Sequence, residues 1–122
     1  MKDQEYMSWQ KFDNACVHLV RQINNSGYEF RAIHGVPRGG LVVAVRLSHL
    51  LNLPLRLFDP KGSNPHRILV VDDILDSGKT LLPFKKEGLK IAALYFKPGS
   101  EVEPDFYVHI KKEAWIVFPW ER

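Results

Sequence analysis

The sequence predicts an α/β protein built on a mainly parallel, twisted sheet of about five strands with helices on both faces, and three observations carry this. The run Ile68-Leu69-Val70-Val71 is apolar throughout and mostly β-branched, the composition of a strand buried on both faces, and it delivers two adjacent carboxylates, Asp72 and Asp73, to its end. Strand-like runs alternate with helical patterns along the chain, the order in which crossover helices link parallel strands. Polar, glycine-containing loops follow two of those strands, at the carboxyl edge where such a sheet presents its chemistry.

Size and composition narrow the reading. At 122 residues the chain makes one domain, residues 1–122, with a real core and no room for a second. Hydrophobic residues at 45% and charged residues at 25% describe an ordinary folded chain. The net charge of +3, from 17 basic and 14 acidic residues, favours phosphorylated ligands but includes no dense basic block of the kind that binds nucleic acid. Met1 to Glu5 is polar and acidic, and no apolar run approaches the roughly 18 residues of a membrane span. The expectation is a cytoplasmic protein without a membrane partner. Cys16, the one cysteine, falls on an apolar helical stripe and reads as a core thiol.

In order, Ser8 caps a first helix in which Trp9, Phe12, Cys16, Leu19, Val20 and Ile23 recur at spacings of three and four. Asn24 to Gly27 ends it. Phe30 to Val36 is a strand running into Pro37-Arg38-Gly39-Gly40, and Leu41 to Leu51 resumes a helical pattern stopped by Asn52 and Pro54. Leu53 to Phe58 is a second strand and Asp59 to His66 a polar turn. The strand at Ile68 leads through Asp76-Ser77-Gly78-Lys79-Thr80 into a short helix over Thr80 to Glu87, with Pro83 tolerated near its first turn and Gly88 stopping it. Leu89 to Phe96 and Phe106 to Ile110 are further strands, and Ala114 to Trp120 is an aromatic, apolar tail. Five scattered histidines, His34 and His109 among them on strands, do not make a zinc site.

Both loops suit phosphate. In Pro37-Arg38-Gly39-Gly40 the glycines would let backbone amides approach an anion at a helix start and Arg38 adds a fork of donors, although a tight turn has the same composition. The loop Asp76 to Thr80 offers amides, two hydroxyls and the dipole of the next helix. Gly78-Lys79-Thr80 is not a nucleotide triphosphatase P-loop, because Asp73 stands where that motif requires glycine. Asp72 and Asp73 would repel one another without a cation or a hydroxyl-rich ligand, and their hard oxygens suit magnesium on a phosphate; otherwise one caps a turn and the other pairs with a base.

The stretch Val70-Val71-Asp72-Asp73-Ile74-Leu75-Asp76-Ser77-Gly78-Lys79-Thr80 resembles the signature of the type I phosphoribosyltransferases, whose ligand is 5-phosphoribosyl 1-pyrophosphate, PRPP. Val36-Pro37-Arg38-Gly39-Gly40-Leu41 is similar to that family's pyrophosphate loop. Lys97-Pro98, Tyr107-Val108, Trp115-Ile116 and Pro119-Trp120 resemble the purine pocket of the bacterial xanthine-guanine, or 6-oxopurine, subfamily. The likeness spans nearly the whole chain, Trp9 and its helix included.

The resemblance implies a role for each matching residue. Asp72 and Asp73 would hold the ribose hydroxyls and magnesium, and Asp76 would be the general base at the purine's imidazole ring. Ser77, Gly78, Lys79 and Thr80 would wrap the 5′-phosphate. Arg38, Gly39 and Gly40 would take pyrophosphate, with a cis peptide at Pro37-Arg38. Lys97 would donate to the 6-oxo group, Trp115 would stack on the base and the Ile116 backbone would read its 2-substituent, within a hood formed by residues 97–122. On pattern alone Lys97 reads equally as a solvated strand end, and Trp115 and Trp120 as core or interface aromatics. A homodimer or homotetramer is also implied.

Where the family carries a long lid, this chain has only Asp59 to His66. With Asp76, Lys97 and Trp115 all present, the resemblance still implies transfer of the phosphoribosyl group from PRPP to guanine, xanthine or hypoxanthine in purine salvage, with magnesium. The alternative is a non-catalytic module that senses PRPP or a nucleotide, in which case RNA becomes a candidate partner.

Overall fold

The computed structural model describes residues 3–56 and 67–121. The expected turn Asp59 to His66 and the end of the expected strand Leu53 to Phe58 lie outside the described residues. The elements in order are β1 (Gln4–Tyr6), α1 (Trp9–Asn25), β2 (Ala32–Gly35), α2 (Gly39–Leu51), β3 (Leu55–Arg56), β4 (Ile68–Leu75), α3 (Leu82–Lys86), β5 (Lys90–Phe96), β6 (Phe106–Ile110), β7 (Trp115–Val117) and a 3₁₀ turn at Pro119–Glu121. Five strands form one sheet in the order β3-β2-β4-β5-β6, parallel in every pair. Among the described residues no helix is long and apolar enough to cross a membrane.

The helices follow the sequence cues closely. The Ser8 hydroxyl accepts from the Lys11 amide at 3.0 Å, the N-cap of α1, and Asn52 closes α2 in the left-handed region at φ 54°. The apolar stripe of α1 buries Phe12, Cys16, Leu19 and Ile23, while Trp9, at the start of the stripe, stays 56% exposed with its ring against Phe12 and Trp120. Cys16 is fully buried, and burial pushes its thiol up to about 12, so it is packing material. Two cores flank the sheet. One lies under α1 and α2 with Ile33, Leu69 and Val71; the other holds Ile68, Val70, Ile91 and Ala93, with Leu82 and Phe84 of α3 packed against it.

Three expectations are corrected. The helix after the signature is shorter than Thr80 to Glu87, beginning only at Leu82 and ending at Lys86, so it adds no useful dipole to the loop before it. Asp72 and Asp73 lie within β4, which continues to Leu75, rather than at its end. The polar N-terminus contains a strand: β1 pairs in parallel with β7, Glu5 opposite Ile116, as a separate two-stranded sheet. Periodicity misses a strand of three residues whose partner lies at the other end of the chain.

The sheet changes pleat at the acids. Paired positions on β4 and β5 run from Leu69–Lys90 to Leu75–Phe96 but skip Asp73 and Leu94, and those on β5 and β6 skip Leu94 and Val108. Beyond that row the alternation shifts by one residue. Ile74 and Tyr95 join the same side as Val71 and Ala92, whereas Leu75 and Phe96 turn to the other.

Close approach sets α2 against β4. A Cβ on Gly40 would meet the Val71 carbonyl oxygen at 2.6 Å and the Asp72 Cα at 3.1 Å, and one on Gly39 would overlap the Asp73 carboxylate. These glycines let the helix start rest on the strand that bears the acids. Gly40→Ala is therefore expected to cost about 1–3 kcal/mol of stability through a forced backbone shift, read as a lower denaturant midpoint with an unchanged slope.

Candidate active site

Three cavities meet over the end of β4. A cleft of about 700 Å³ is lined by Pro37, Arg38 and Gly39 of the loop before α2, by Asp72 and Asp73, by Thr80, and by Val36, Val42, Trp120 and Glu121. A small cavity of about 110 Å³ shares Asp72 and Thr80 with it and adds Asp76, Ser77 and Gly78. A third, of about 230 Å³, shares Asp73 and Glu121 with the first and Ile74 and Asp76 with the second, and is closed by Lys111, Trp115, Ile116 and Phe118. The segment from Asp72 to Asp76, the end of β4 and the first residue beyond it, thus forms the common edge of all three.

The first loop leaves β2 at Val36, whose amide still bonds the Val71 carbonyl at 2.9 Å. The Pro37–Arg38 peptide is cis. Arg38 is exposed and forms no ion pair among the described residues, so its guanidinium remains available to an anion. Gly40 is buried against β4 and does not line a cavity, so its contribution is packing.

The second loop is braced from below. Gly78 has φ 85°, and a Cβ there would meet the Val102 amide at 2.8 Å, so the position accepts only glycine without strain. The Glu101 amide donates to the Ser77 carbonyl at 2.8 Å, the Lys97 amide to the Leu75 carbonyl at 2.9 Å, and the Ser100 hydroxyl to the Asp76 carbonyl. The turn 97–102 holds the loop in shape and leaves the Ser77 and Thr80 hydroxyls exposed. Lys79 is exposed and lines none of these cavities.

The acids are held by their neighbours' amides. Asp72 Oδ1 accepts from the Asp73 amide at 2.8 Å, and Asp73 Oδ1 from the Ile74 amide at 2.7 Å. Both are half-buried, and neither is in an ion pair with a described residue. Burial first, and the adjacent Asp73 second, push the Asp72 carboxyl well above the usual carboxylate range. No group of three or more His, Cys, Asp or Glu side chains suited to a metal occurs among the described residues. Two carboxylates beside an oxygen-rich cleft are the donor set for magnesium, which retains water and substrate phosphates in its shell. The residues therefore fit that ion, and Asp72 and Asp73 are the side chains that would hold it.

In the third cavity Asp76 has Lys97 Nζ 3.7 Å from its carboxylate. Lys97 itself is not on the wall. Trp115 is 60% exposed and lines the cavity, as does Ile116 from the buried side. Trp120 instead stacks on Phe118 with centroids 4.7 Å apart and planes 6° from parallel, and reaches the large cleft. Sequence reasoning passed over Lys111, Phe118 and Glu121. The Glu121 carboxylate accepts from the Phe118 amide at 2.8 Å, a local contact with no signal in the residue pattern.

A raised carboxyl fixes the sign of a pH effect. The folded protein retains the Asp72 proton at pH values where the unfolded chain, with a pKa of about 3.9, has released it, so this group's contribution to stability falls as pH rises from there. Asn at this position keeps the acceptor for the Asp73 amide and cannot ionise. Asp72→Asn is expected to raise the unfolding midpoint of the ligand-free protein by about 3–6 °C at pH 8, with the gain shrinking towards pH 4, measured by thermal denaturation across that range.

Comparison with known proteins agrees with this architecture. The phosphoribosyl transferase domain model matches residues 59–121. Xanthine-guanine phosphoribosyltransferase of Idiomarina loihiensis is 30% identical, covering 95% of this chain and 86% of that protein. That alignment runs over 140 positions against 122 residues here, so the relative has residues with no counterpart in this chain. The crystal structure of a purine phosphoribosyltransferase from Pyrococcus horikoshii Ot3 superposes with a TM-score of 0.80 at 39% identity, covering 98% of this chain and 95% of that one. The xanthine-guanine-hypoxanthine phosphoribosyltransferase of Helicobacter pylori gives a TM-score of 0.82 at 25% identity, covering 97% and 93%. A parallel sheet whose central strand bears Asp72 and Asp73 and leads into Asp76 at the meeting point of three cavities, in a chain so similar to these, places this protein in the phosphoribosyl transferase family, as a type I enzyme most like the xanthine-guanine phosphoribosyltransferases.

Proposed function

We propose that the chain transfers the 5-phosphoribosyl group from PRPP to a 6-oxopurine, guanine, xanthine or hypoxanthine, with release of pyrophosphate, as a purine salvage reaction. The observation that carries this is the meeting of three cavities along Asp72 to Asp76, each matched in size and lining to one part of the reaction. The small cavity, with the Ser77 and Thr80 hydroxyls and the loop amides, suits one phosphate. The large cleft, with Arg38 and the two acids, suits ribose and pyrophosphate. The third, walled by Trp115, Ile116 and Phe118, suits a flat, apolar-faced base.

The chemistry assigns the side chains. Breaking the bond from the anomeric carbon to pyrophosphate leaves positive charge on the ribose ring and negative charge on the leaving group. Arg38 and the loop amides stabilise the latter, and Asp72 and Asp73, which also hold the ribose hydroxyls, lie beneath the former. Magnesium held by Asp72 and Asp73 would neutralise phosphate charge as it builds. Asp76, shared by the phosphate and base cavities, takes the imidazole proton of the incoming purine.

Lys97 supports the 6-oxo reading. An ammonium 3.7 Å from the proton-accepting carboxylate, just outside the cavity wall, would reach the substituent beside that imidazole edge, and an ammonium only donates. It matches an oxo group and not the amino group of adenine. Trp115 stacks on the base and the Ile116 backbone faces its 2-substituent, in a hood formed by residues 97–122 together with β1.

The test is nucleotide formation from PRPP, magnesium and each base in turn. Asp76→Asn is expected to slow transfer by about 10²–10³-fold while leaving PRPP affinity within about threefold. Trp115→Ala should raise the KM for the base by about tenfold, the effect of a lost stacking surface. PRPP binding without conversion of any base would make the chain a PRPP-sensing module instead.

A further inference from the structure

The hood strand that bears Trp115 and Ile116 is anchored through its apolar side, where Ile116 is buried with Phe118 and Met7 in the core under α1 and α2. β7 is three residues long and among the described residues its one strand partner is β1, a pairing extended by Met7 N–H to the Val117 carbonyl at 2.9 Å and Trp115 N–H to the Asp3 carbonyl at 2.8 Å. A two-stranded sheet of this size is not stable alone, so its position over β4 must be set by contacts to the main sheet.

Tyr95 on β5 makes a polar one. The residue is 2% exposed, and its hydroxyl donates to Glu5 Oε1 on β1 at 3.3 Å. Lys11 Nζ, from α1, donates to the same oxygen at 3.0 Å. That ion pair is partly exposed and worth little by itself; its effect is to hold the Glu5 carboxylate above the phenol. The Tyr95 ring also packs edge-on against Phe118, 6.0 Å between centroids, and Phe118 walls the base cavity. The pleat shift at Asp73 and Leu94 is what turns Tyr95 towards the hood, and it turns Ile74, the Cα partner of Tyr95 and a cavity residue, the same way.

We propose that Tyr95, Glu5 and Lys11 are positioning residues for the purine: their linkage fixes β1 and β7, and with them Trp115 and Ile116, at the separation from Asp76 that admits a base. The inference rests on the purine reading given above. It concerns the base half of the site. Arg38, Gly39, Asp72 and the loop 77–80 are carried by segments that leave β2 and β4, and the tail reaches the PRPP cleft only as the wall formed by Trp120 and Glu121.

Steady-state kinetics with the three 6-oxopurines, alongside calorimetric titration with magnesium and PRPP, tests this. Tyr95→Phe keeps the buried ring and removes only the hydroxyl; it is expected to raise the KM for purine about tenfold with kcat within about threefold and PRPP affinity within about twofold. Glu5→Ala should do the same, while Glu5→Gln, which keeps an oxygen for the phenol to donate to, should restore most of the loss. Unchanged purine KM in both Tyr95→Phe and Glu5→Ala overturns the inference, as does a matching fall in PRPP affinity, which marks general loosening. A wild-type protein that converts none of the three bases defeats the purine reading and this inference with it, whereas a fully active protein with unaltered KM in the variants defeats this inference alone.

Discussion

Two carboxylates placed side by side on a half-buried strand are the constraint on which the rest of this structure depends. Asp72 and Asp73 share no ion pair with any described residue, and the protein supports them with single amide hydrogen bonds from the next residue along. Such an arrangement is unfavourable until a ligand brings positive charge or hydroxyl donors. The surroundings are shaped to keep it. Gly39 and Gly40 let the start of α2 lie directly on the acids, and the strands on either side of β4 keep it from shifting.

The pleat change extends that constraint across the sheet. At Asp73, Leu94 and Val108 the pairing of three neighbouring strands lapses in one row, and beyond it the side chains face the opposite way from strict alternation. Ile74 therefore faces the cavity walled by Trp115 and Ile116, Tyr95 the hood and Leu75 the core under the loop 76–80. One local irregularity next to the acids thus sets the direction of side chains in all three parts of the site.

Much of this was legible in the residues, and the limits have physical causes. The four apolar residues before Asp72 announced a strand buried on both faces. Ser8 and Asn52 marked helix ends because capping is local chemistry. Arg38, the three aspartates, Thr80 and Trp115 all reach the cavities, since strand ends and loops are read from short patterns. What escaped depends on contacts distant in sequence. β1 is a strand only because β7 lies beside it, and Lys111, Phe118 and Glu121 line cavities through the folding of the tail. The two glycines were expected to bare amides for phosphate, and the structure gives them a second reason, close packing against β4, which no one-dimensional pattern contains.

The pairing of residues 4–6 with 115–117 closes nearly the whole chain into one loop. The entropy cost of closure grows with loop length, and here it is offset by the strand pairing together with the burial of Met7, Ile116 and Phe118 in the core under α1 and α2. The two ends of the chain are accordingly fastened to the same core as β2 and β4, and the wall bearing Trp115 and Ile116 opens only with loss of that packing. In amide exchange terms, the first and the last strand of the chain share one protection class, because neither keeps its hydrogen bonds once the other leaves.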